Sequence, residues 1–129
     1  MSNTKTDNVK TILIIEDESD LLDLLQDKFI TSGFKVIGAG SGEEGIRHAL
    51  KNKPNLILLD IILPKMDGIT MLKKLRQDRW GKGVPVIILS NLSDQNKISE
   101  AMKIGVYDFL VKSNIKLTDV VTQVRQVLD

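Results

Sequence analysis

Four short apolar runs recur along the chain, and each gives way to polar residues. Ile12-Leu13-Ile14-Ile15 leads into Glu16-Asp17, and Leu56-Ile57-Leu58-Leu59 into Asp60. Val86-Ile87-Ile88-Leu89 leads into Ser90, and Tyr107-Asp108-Phe109-Leu110-Val111 into Lys112. Runs this short, separated by helical patterns, read as buried parallel strands. The pattern predicts strands over about 11–15, 35–38, 56–60, 85–89 and 107–111. Between them apolar residues return at helical spacing. Leu21, Leu22, Leu25 and Phe29 mark a helix over about 19–32, which Gly33 stops. Ser41 and Glu44 have capping-box spacing and open a second helix, to about 52, before Pro54. Asp67 caps a third, which carries Ile69, Leu72 and Leu75 inward and ends near 77. Ser93 or Asp94 opens a fourth, with Ile98, Ala101, Met102 and Ile104 apolar and Gly105 at its end. Val120, Val121, Val124, Val127 and Leu128 mark a fifth, over about 118–128. Five βα units in succession imply an α/β domain with a parallel sheet.

In such a sheet the ligand crevice lies outside the carboxyl ends of the strands. The fold would therefore gather Glu16, Asp17, Asp60, Ser90 and Lys112 in one place. Two carboxylates ~4 Å apart repel by about 4 kcal/mol at an effective dielectric near 20. A cluster of three acids must raise a pKa or bind a cation. Oxygen ligands without His or Cys suit a hard cation such as Mg²⁺. Lys112 offsets part of the charge and can pair with an anionic oxygen, and the Ser90 hydroxyl can donate to the same oxygen. A carboxylate beside a metal and a lysine can act as a phosphoryl acceptor.

Composition narrows the alternatives. At 129 residues with 42% hydrophobic content the chain suits one domain with a real core. Its net charge of +1 makes no electrostatic case for nucleic acid or an anionic membrane. It has no cysteine, so disulfides and thiolate metal sites are excluded. No apolar stretch approaches the roughly 18 residues of a membrane span. The polar start has no signal-peptide core, so the expected location is the cytoplasm. Residues 1–9 are expected to be a disordered tail and 10–129 the domain. The last helix runs to the end of the sequence and leaves nothing for an output domain. This fits a lone domain or an excised piece equally.

The runs Ile14-Ile15-Glu16-Asp17-Glu18, Leu58-Leu59-Asp60-Ile61-Ile62-Leu63-Pro64-Lys65-Met66-Asp67-Gly68, Pro85-Val86-Ile87-Ile88-Leu89-Ser90 and Gly105-Val106-Tyr107-Asp108-Phe109-Leu110-Val111-Lys112, in this order, carry a family resemblance. From Thr11 to Leu128 the chain resembles the receiver domain of bacterial two-component response regulators, in its stand-alone chemotaxis-type form. The resemblance implies a flavodoxin-like (βα)5 three-layer α/β/α sandwich with sheet order 2-1-3-4-5. It implies a phosphorelay switch, not a turnover enzyme beyond its own aspartyl phosphorylation and slow dephosphorylation. Asp60 would take the phosphoryl group from a sensor histidine kinase, a phosphotransfer protein or a small phosphodonor. Asp17, Asp60 and the backbone carbonyl of Ile62 would bind Mg²⁺, with Glu16 reaching it through water. Lys112 would pair with Asp60 and then with phosphoryl oxygens. Ser90 would swing toward the phosphoryl group and Phe109 turn inward. That shift would remodel the face of helix four, strand five and helix five, where a downstream target protein docks. Pro64 and Gly68 would shape the loop after the acceptor.

Three positions depart from the family pattern. Glu16 stands where Asp is commoner, and its extra methylene still permits a water-mediated contact. Ser113 follows Lys112 where the family has a cis-proline, and a non-proline cis bond costs about 2.5–4 kcal/mol, so a trans bond is expected. Asn91 follows Ser90 where a small residue is usual, which suggests slow phosphoryl turnover.

Other readings compete with these. The alternative function is a phosphate-independent interaction module that keeps the pocket for structure. Helix-capping acids would explain the carboxylates but not Lys112 and Ser90. An aspartyl phosphatase usually has a second Asp two residues after the nucleophile, and here that position is Ile62. Tyr107, two residues from Phe109, competes for its switch role. His48 is expected on the solvated face of its helix, opposite Ile46, Ala49 and Leu50. Trp80 is expected to anchor its loop, and Met66, Met71 and Met102 to fill core or groove. Gly38-Ala39-Gly40-Ser41-Gly42 lacks the spacing of a nucleotide loop and reads as turn glycines.

Overall fold

The computed structural model describes residues 9–129. Of the expected 1–9 tail, only Val9 falls within the described residues. Five strands alternate with five helices: β1 (Thr11–Ile15), α1 (Ser19–Thr31), β2 (Lys35–Ala39), α2 (Gly42–Asn52), β3 (Leu56–Asp60), α3 (Gly68–Gln77), β4 (Val86–Ser90), α4 (Gln95–Ile104), β5 (Asp108–Val111) and α5 (Leu117–Leu128). All pairings are parallel, in the order β2-β1-β3-β4-β5. The expected flavodoxin-like order is the observed one. The chain moves from β1 outward to β2 and then back past β1 to β3. That reversal opens a crevice between the carboxyl ends of β1 and β3.

Strand alternation divides the core into two layers. Leu13, Ile15, Ile57, Leu59, Val86 and Ile88 pack with Ala49, Met71, Leu72, Leu75 and Ala101 from α2, α3 and α4. Ile12, Ile14, Leu56, Leu58, Ile87 and Leu89 pack with Leu25, Phe29, Val120, Val121 and Val124 from α1 and α5. The central strands β3 and β4 are buried at every position, so they read as unbroken apolar runs. β5 lies at the sheet edge and is only partly covered.

The helix ends follow their capping chemistry. The N–H of Glu44 donates to Ser41 Oγ, 3.2 Å. Glu44 reaches past the cap, and its Oε1 accepts from the Gly40 N–H at 2.8 Å. The N–H of Thr70 donates to Asp67 Oδ1 at the start of α3. Asp94, one of the two residues expected to open helix four, stands at its N-cap, but its side chain does not cap that helix. Instead, Asn91 and Asp94 close a reciprocal capping box around a 3₁₀ turn, Leu92–Asp94, that precedes the helix. Gly105 ends α4 at φ +119°, a conformation costly for any residue with a Cβ.

Several smaller expectations also shift. β4 takes in Ser90 but not Pro85, and β2 extends to Ala39. Tyr107 precedes β5 instead of opening it, and its ring is exposed. Leu50 is exposed although helical spacing grouped it with Ile46 and Ala49, and Met102 is exposed where it lines a groove, one of its two expected places. His48 is half-buried, not fully solvated. Trp80 packs against the core and anchors its loop as expected. Met71 is buried in the core, and Met66 is partly buried against the same cluster. The Lys112–Ser113 bond is trans.

Candidate functional site

The site is built where β1 and β3 end side by side. Ile15 pairs with Leu59, so the next residues, Glu16 and Asp60, emerge at the same level. Both are buried, whereas Asp17 is exposed at the rim. One carboxylate oxygen from each of Glu16, Asp17 and Asp60 lies within 4.8 Å of the other two. Lys112, just past β5, reaches this group from the far side of β4. Its Nζ donates to Asp60 Oδ2 at 2.8 Å and to Glu18 Oε1 at 3.0 Å. It also forms an ion pair with Glu16 Oε1 at 2.9 Å. The remaining oxygens are held by backbone. Ile62 N–H donates to Asp60 Oδ1 at 3.1 Å, and Glu18 N–H to Glu16 Oε2 at 2.9 Å.

The electrostatics follow from burial. Burial pushes the Glu16 carboxyl up to about 7, against the pull of the Glu18 N–H and Lys112, and the charge of Asp60 pushes it further up. Burial also raises Asp60 above the ordinary carboxylate value, in spite of its bond to Lys112. Burial disfavours the Lys112 ammonium, but Asp60, Glu16 and Glu18 outweigh it and hold the lysine above its usual pKa. The site thus has more buried negative charge than one lysine can neutralise.

Ser90 ends β4 beside β3, and its hydroxyl is buried without a hydrogen-bond partner. A buried polar atom left unpaired costs stability unless a ligand or water completes it. Phe109 is not in this crevice. It is 36% exposed and lines a groove of about 580 Å³ with Gln95, Ile98, Ser99, Met102 and Lys103. Pro64 lines a small cavity of about 110 Å³ with Ser41, Gly42, Glu43, Lys65 and Met66. Gly68 is set tightly against the acceptor strand: a Cβ there would lie 2.6 Å from the Asp60 carbonyl oxygen and 2.7 Å from Ile61 Cα. Asn91 is committed to the capping box of the 3₁₀ turn.

Two residues that sequence reasoning missed matter here. Glu18 bonds Lys112, and the only hint was its place in the acidic run Glu16-Asp17-Glu18. Arg76 supports the opposite end of the sheet. Its guanidinium donates to the carbonyls of Gly105, Gly81 and Val84. No motif marks an arginine that bonds only main-chain oxygens.

The chain belongs to the response regulator receiver domain family, whose model matches residues 12–125. Receiver domains are the phosphoacceptor switches of two-component systems. The chain is 37% identical over 103 residues to the alkaline phosphatase synthesis transcriptional regulatory protein PhoP of Bacillus subtilis (strain 168), a match covering 80% of this chain and 42% of that protein. It is 35% identical over 117 residues to the transcriptional regulatory protein PrrA of Mycobacterium tuberculosis, covering 91% of this chain and 49% of that one. It therefore spans less than half the length of these curated relatives. Among solved structures, it is similar to a CheY-like response regulator receiver domain protein from Methanospirillum hungatei JF-1, with a TM-score of 0.87, 25% identity and 95% of each chain covered. It is also similar to the receiver domain of the Francisella response regulator 1452, with a TM-score of 0.83 and 28% identity, covering 92% of this chain and 96% of that one. Among the described residues no helix is long and apolar enough to cross a membrane.

Proposed function

We propose that residues 10–129 act as one receiver unit in the cytoplasm, with Asp60 as phosphoacceptor. The observation that carries this reading is the Asp60 carboxylate, buried between Lys112 and two further acids. A carboxylate oxygen of Asp60 would attack the phosphorus of a phosphohistidine on a sensor kinase or phosphotransfer protein. The phosphorus–nitrogen bond breaks, the imidazole leaves with the electron pair, and an acyl phosphate forms on Asp60. Lys112 is placed to pair with the oxygens of the incoming group, and the unpartnered Ser90 hydroxyl can donate to one of them.

The donor set suits Mg²⁺. Three carboxylates converge without histidine or cysteine, and burial has pushed two of them above their ordinary pKa. Asp17, Asp60 and the Ile62 carbonyl would hold the ion, with Glu16 acting through water. Bound there, it would neutralise charge that develops on the phosphoryl oxygens.

The phosphoryl group brings a charge of about −2 into a crevice already rich in carboxylates. Ser90 moves toward it, Phe109 turns inward from its exposed position, and the α4-β5-α5 face repacks as a population shift. The apolar groove between α4 and Phe109 is the part of that face that fits a protein target. The decisive experiment is intact mass after incubation with acetyl phosphate and Mg²⁺. Wild type should gain one phosphoryl group and Asp60→Ala none. No adduct on folded wild type, with no binding of beryllofluoride, would leave the phosphate-independent module as the better account.

A further inference from the structure

The Lys112 ammonium has three N–H bonds, and three carboxylates surround it. Two of these, Asp60 and Glu16, belong to the acceptor crevice. The third, Glu18, does not. Its side chain is 64% exposed, while those of Lys112 and Glu16 are 13% and 0% exposed. Glu18 sits at the N-cap of α1, where its side chain makes no capping hydrogen bond. It reaches across the mouth of the crevice to Lys112 instead. Its own N–H meanwhile fixes Glu16 Oε2. One residue thus orients both the buried acid and the lysine.

We propose that Glu18 is a positioning residue that latches Lys112 in the resting state and must release it when Asp60 is phosphorylated. This rests on the phosphoacceptor reading above. Carboxylate oxygens of Asp60, Glu16 and Glu18 all lie within 3.0 Å of Nζ, so a phosphoryl oxygen can close on Lys112 only as one of them draws back. Asp60 carries the phosphoryl group, which leaves Glu16 and Glu18. Glu16 is buried and its other oxygen is fixed by the Glu18 N–H, so withdrawing it would break a second bond. Glu18 is exposed, so its carboxylate is rehydrated as it lets go. It is the partner released at least cost. The same carboxylate puts negative charge at the entrance used by an anionic phosphodonor. Glu18 therefore restrains acceptance in two ways, by occupying the lysine and by repelling the donor.

The test compares wild type, Glu18→Ala and Glu18→Gln, each checked for folding by circular dichroism. Exposed ion pairs contribute little, so losing this one should speed acceptance from acetyl phosphate and tighten beryllofluoride binding by about two- to five-fold. A second readout needs no metal or phosphoryl group: the Lys112 ¹⁵Nζ ammonium resonance, assigned with Lys112→Arg. It should be resolved in wild type and broadened in both Glu18 variants. Equal rates and an unchanged resonance in the variants, with normal adduct formation by wild type, would overturn the latch alone. Slower acceptance in the variants would also overturn it, since Glu18 would then be supporting Lys112. If wild type forms no adduct, the phosphoacceptor reading falls and the release step with it. The ammonium resonance then shows whether the clasp itself exists.

Discussion

Lys112 Nζ stands 2.8 Å from Asp60 Oδ2, across 52 residues of sequence. This bond joins the end of β5 to the end of β3 and holds together a site that would otherwise repel itself. Replacing Lys112 with Met leaves Asp60 and Glu16 buried without a counter-charge. Loss of one partner from a buried pair costs about 3 kcal/mol or more. The variant should therefore unfold at lower urea than wild type at pH 8. Mg²⁺ should recover part of that loss and raise the midpoint of Lys112→Met more than that of wild type. A Mg²⁺ response no larger than wild type's would show that the lysine does not neutralise this cluster.

The acidic cluster predicts a metal-dependent stability in the protein itself. A ligand that binds only the folded state stabilises it by about 2.7 kcal/mol at a hundred times its Kd. Thermal melting should rise steadily with Mg²⁺ in wild type. Asp17→Asn removes one carboxylate from the rim, and Asp60→Asn one from the centre. Both variants should lose most of the Mg²⁺-induced rise. Melting curves with and without a chelator measure this directly.

Arg76 carries a different burden. Its guanidinium fastens α3 to the 81–84 loop and to the Gly105 turn through main-chain carbonyls. Burial lowers its pKa, and no carboxylate is among these bonds. Arg76→Met strands three carbonyls and should cost about 2–3 kcal/mol in denaturant unfolding. Lysine presents a point charge instead of a planar fork, so Arg76→Lys should restore little. Acceptance from acetyl phosphate should be unaffected, because Arg76 supports the end of the sheet away from the crevice.

Asp67 links a helix cap to pH. It works against partial burial, but its bond from the Thr70 N–H and the nearby Lys97 hold its carboxyl below the ordinary value. A depressed pKa in the folded state contributes stability above the unfolded pKa and loses it as pH falls through the folded one. Asp67→Ala should therefore cost about 1 kcal/mol near neutral pH. The gap between the two proteins should narrow in acid, as wild-type Asp67 protonates. Urea titrations at pH 7 and below pH 4 would show it, and a gap that widens in acid would refute the assignment.

Gly68 tests how tightly α3 is set against the acceptor strand. An alanine Cβ would strike the Asp60 carbonyl and the Ile61 backbone, neither of which can rotate away. Gly68→Ala should destabilise the protein by about 1–3 kcal/mol. It should also slow phosphoryl acceptance, since the displaced backbone carries Asp60.

Much of this protein was legible from its sequence alone, for local reasons. Unbroken apolar runs such as Leu56–Leu59 declare a buried strand, because both faces of β3 are covered. Ser41 and Asp67 mark helix starts, because capping depends on residues three apart. The ends of those strands also identified Glu16, Asp17, Asp60, Ser90 and Lys112 as candidates. Tertiary structure decided what depends on residues far apart in the chain. It placed Lys112 between Asp60 and Glu18, 94 residues before it. It left Ser90 without a partner and turned Phe109 and Met102 toward solvent. It also spent Arg76 on backbone carbonyls, which no side-chain pattern can announce. Periodicity reports which face of an element is apolar. How wide a stripe is covered, and which charge answers which, is set only when the layers pack.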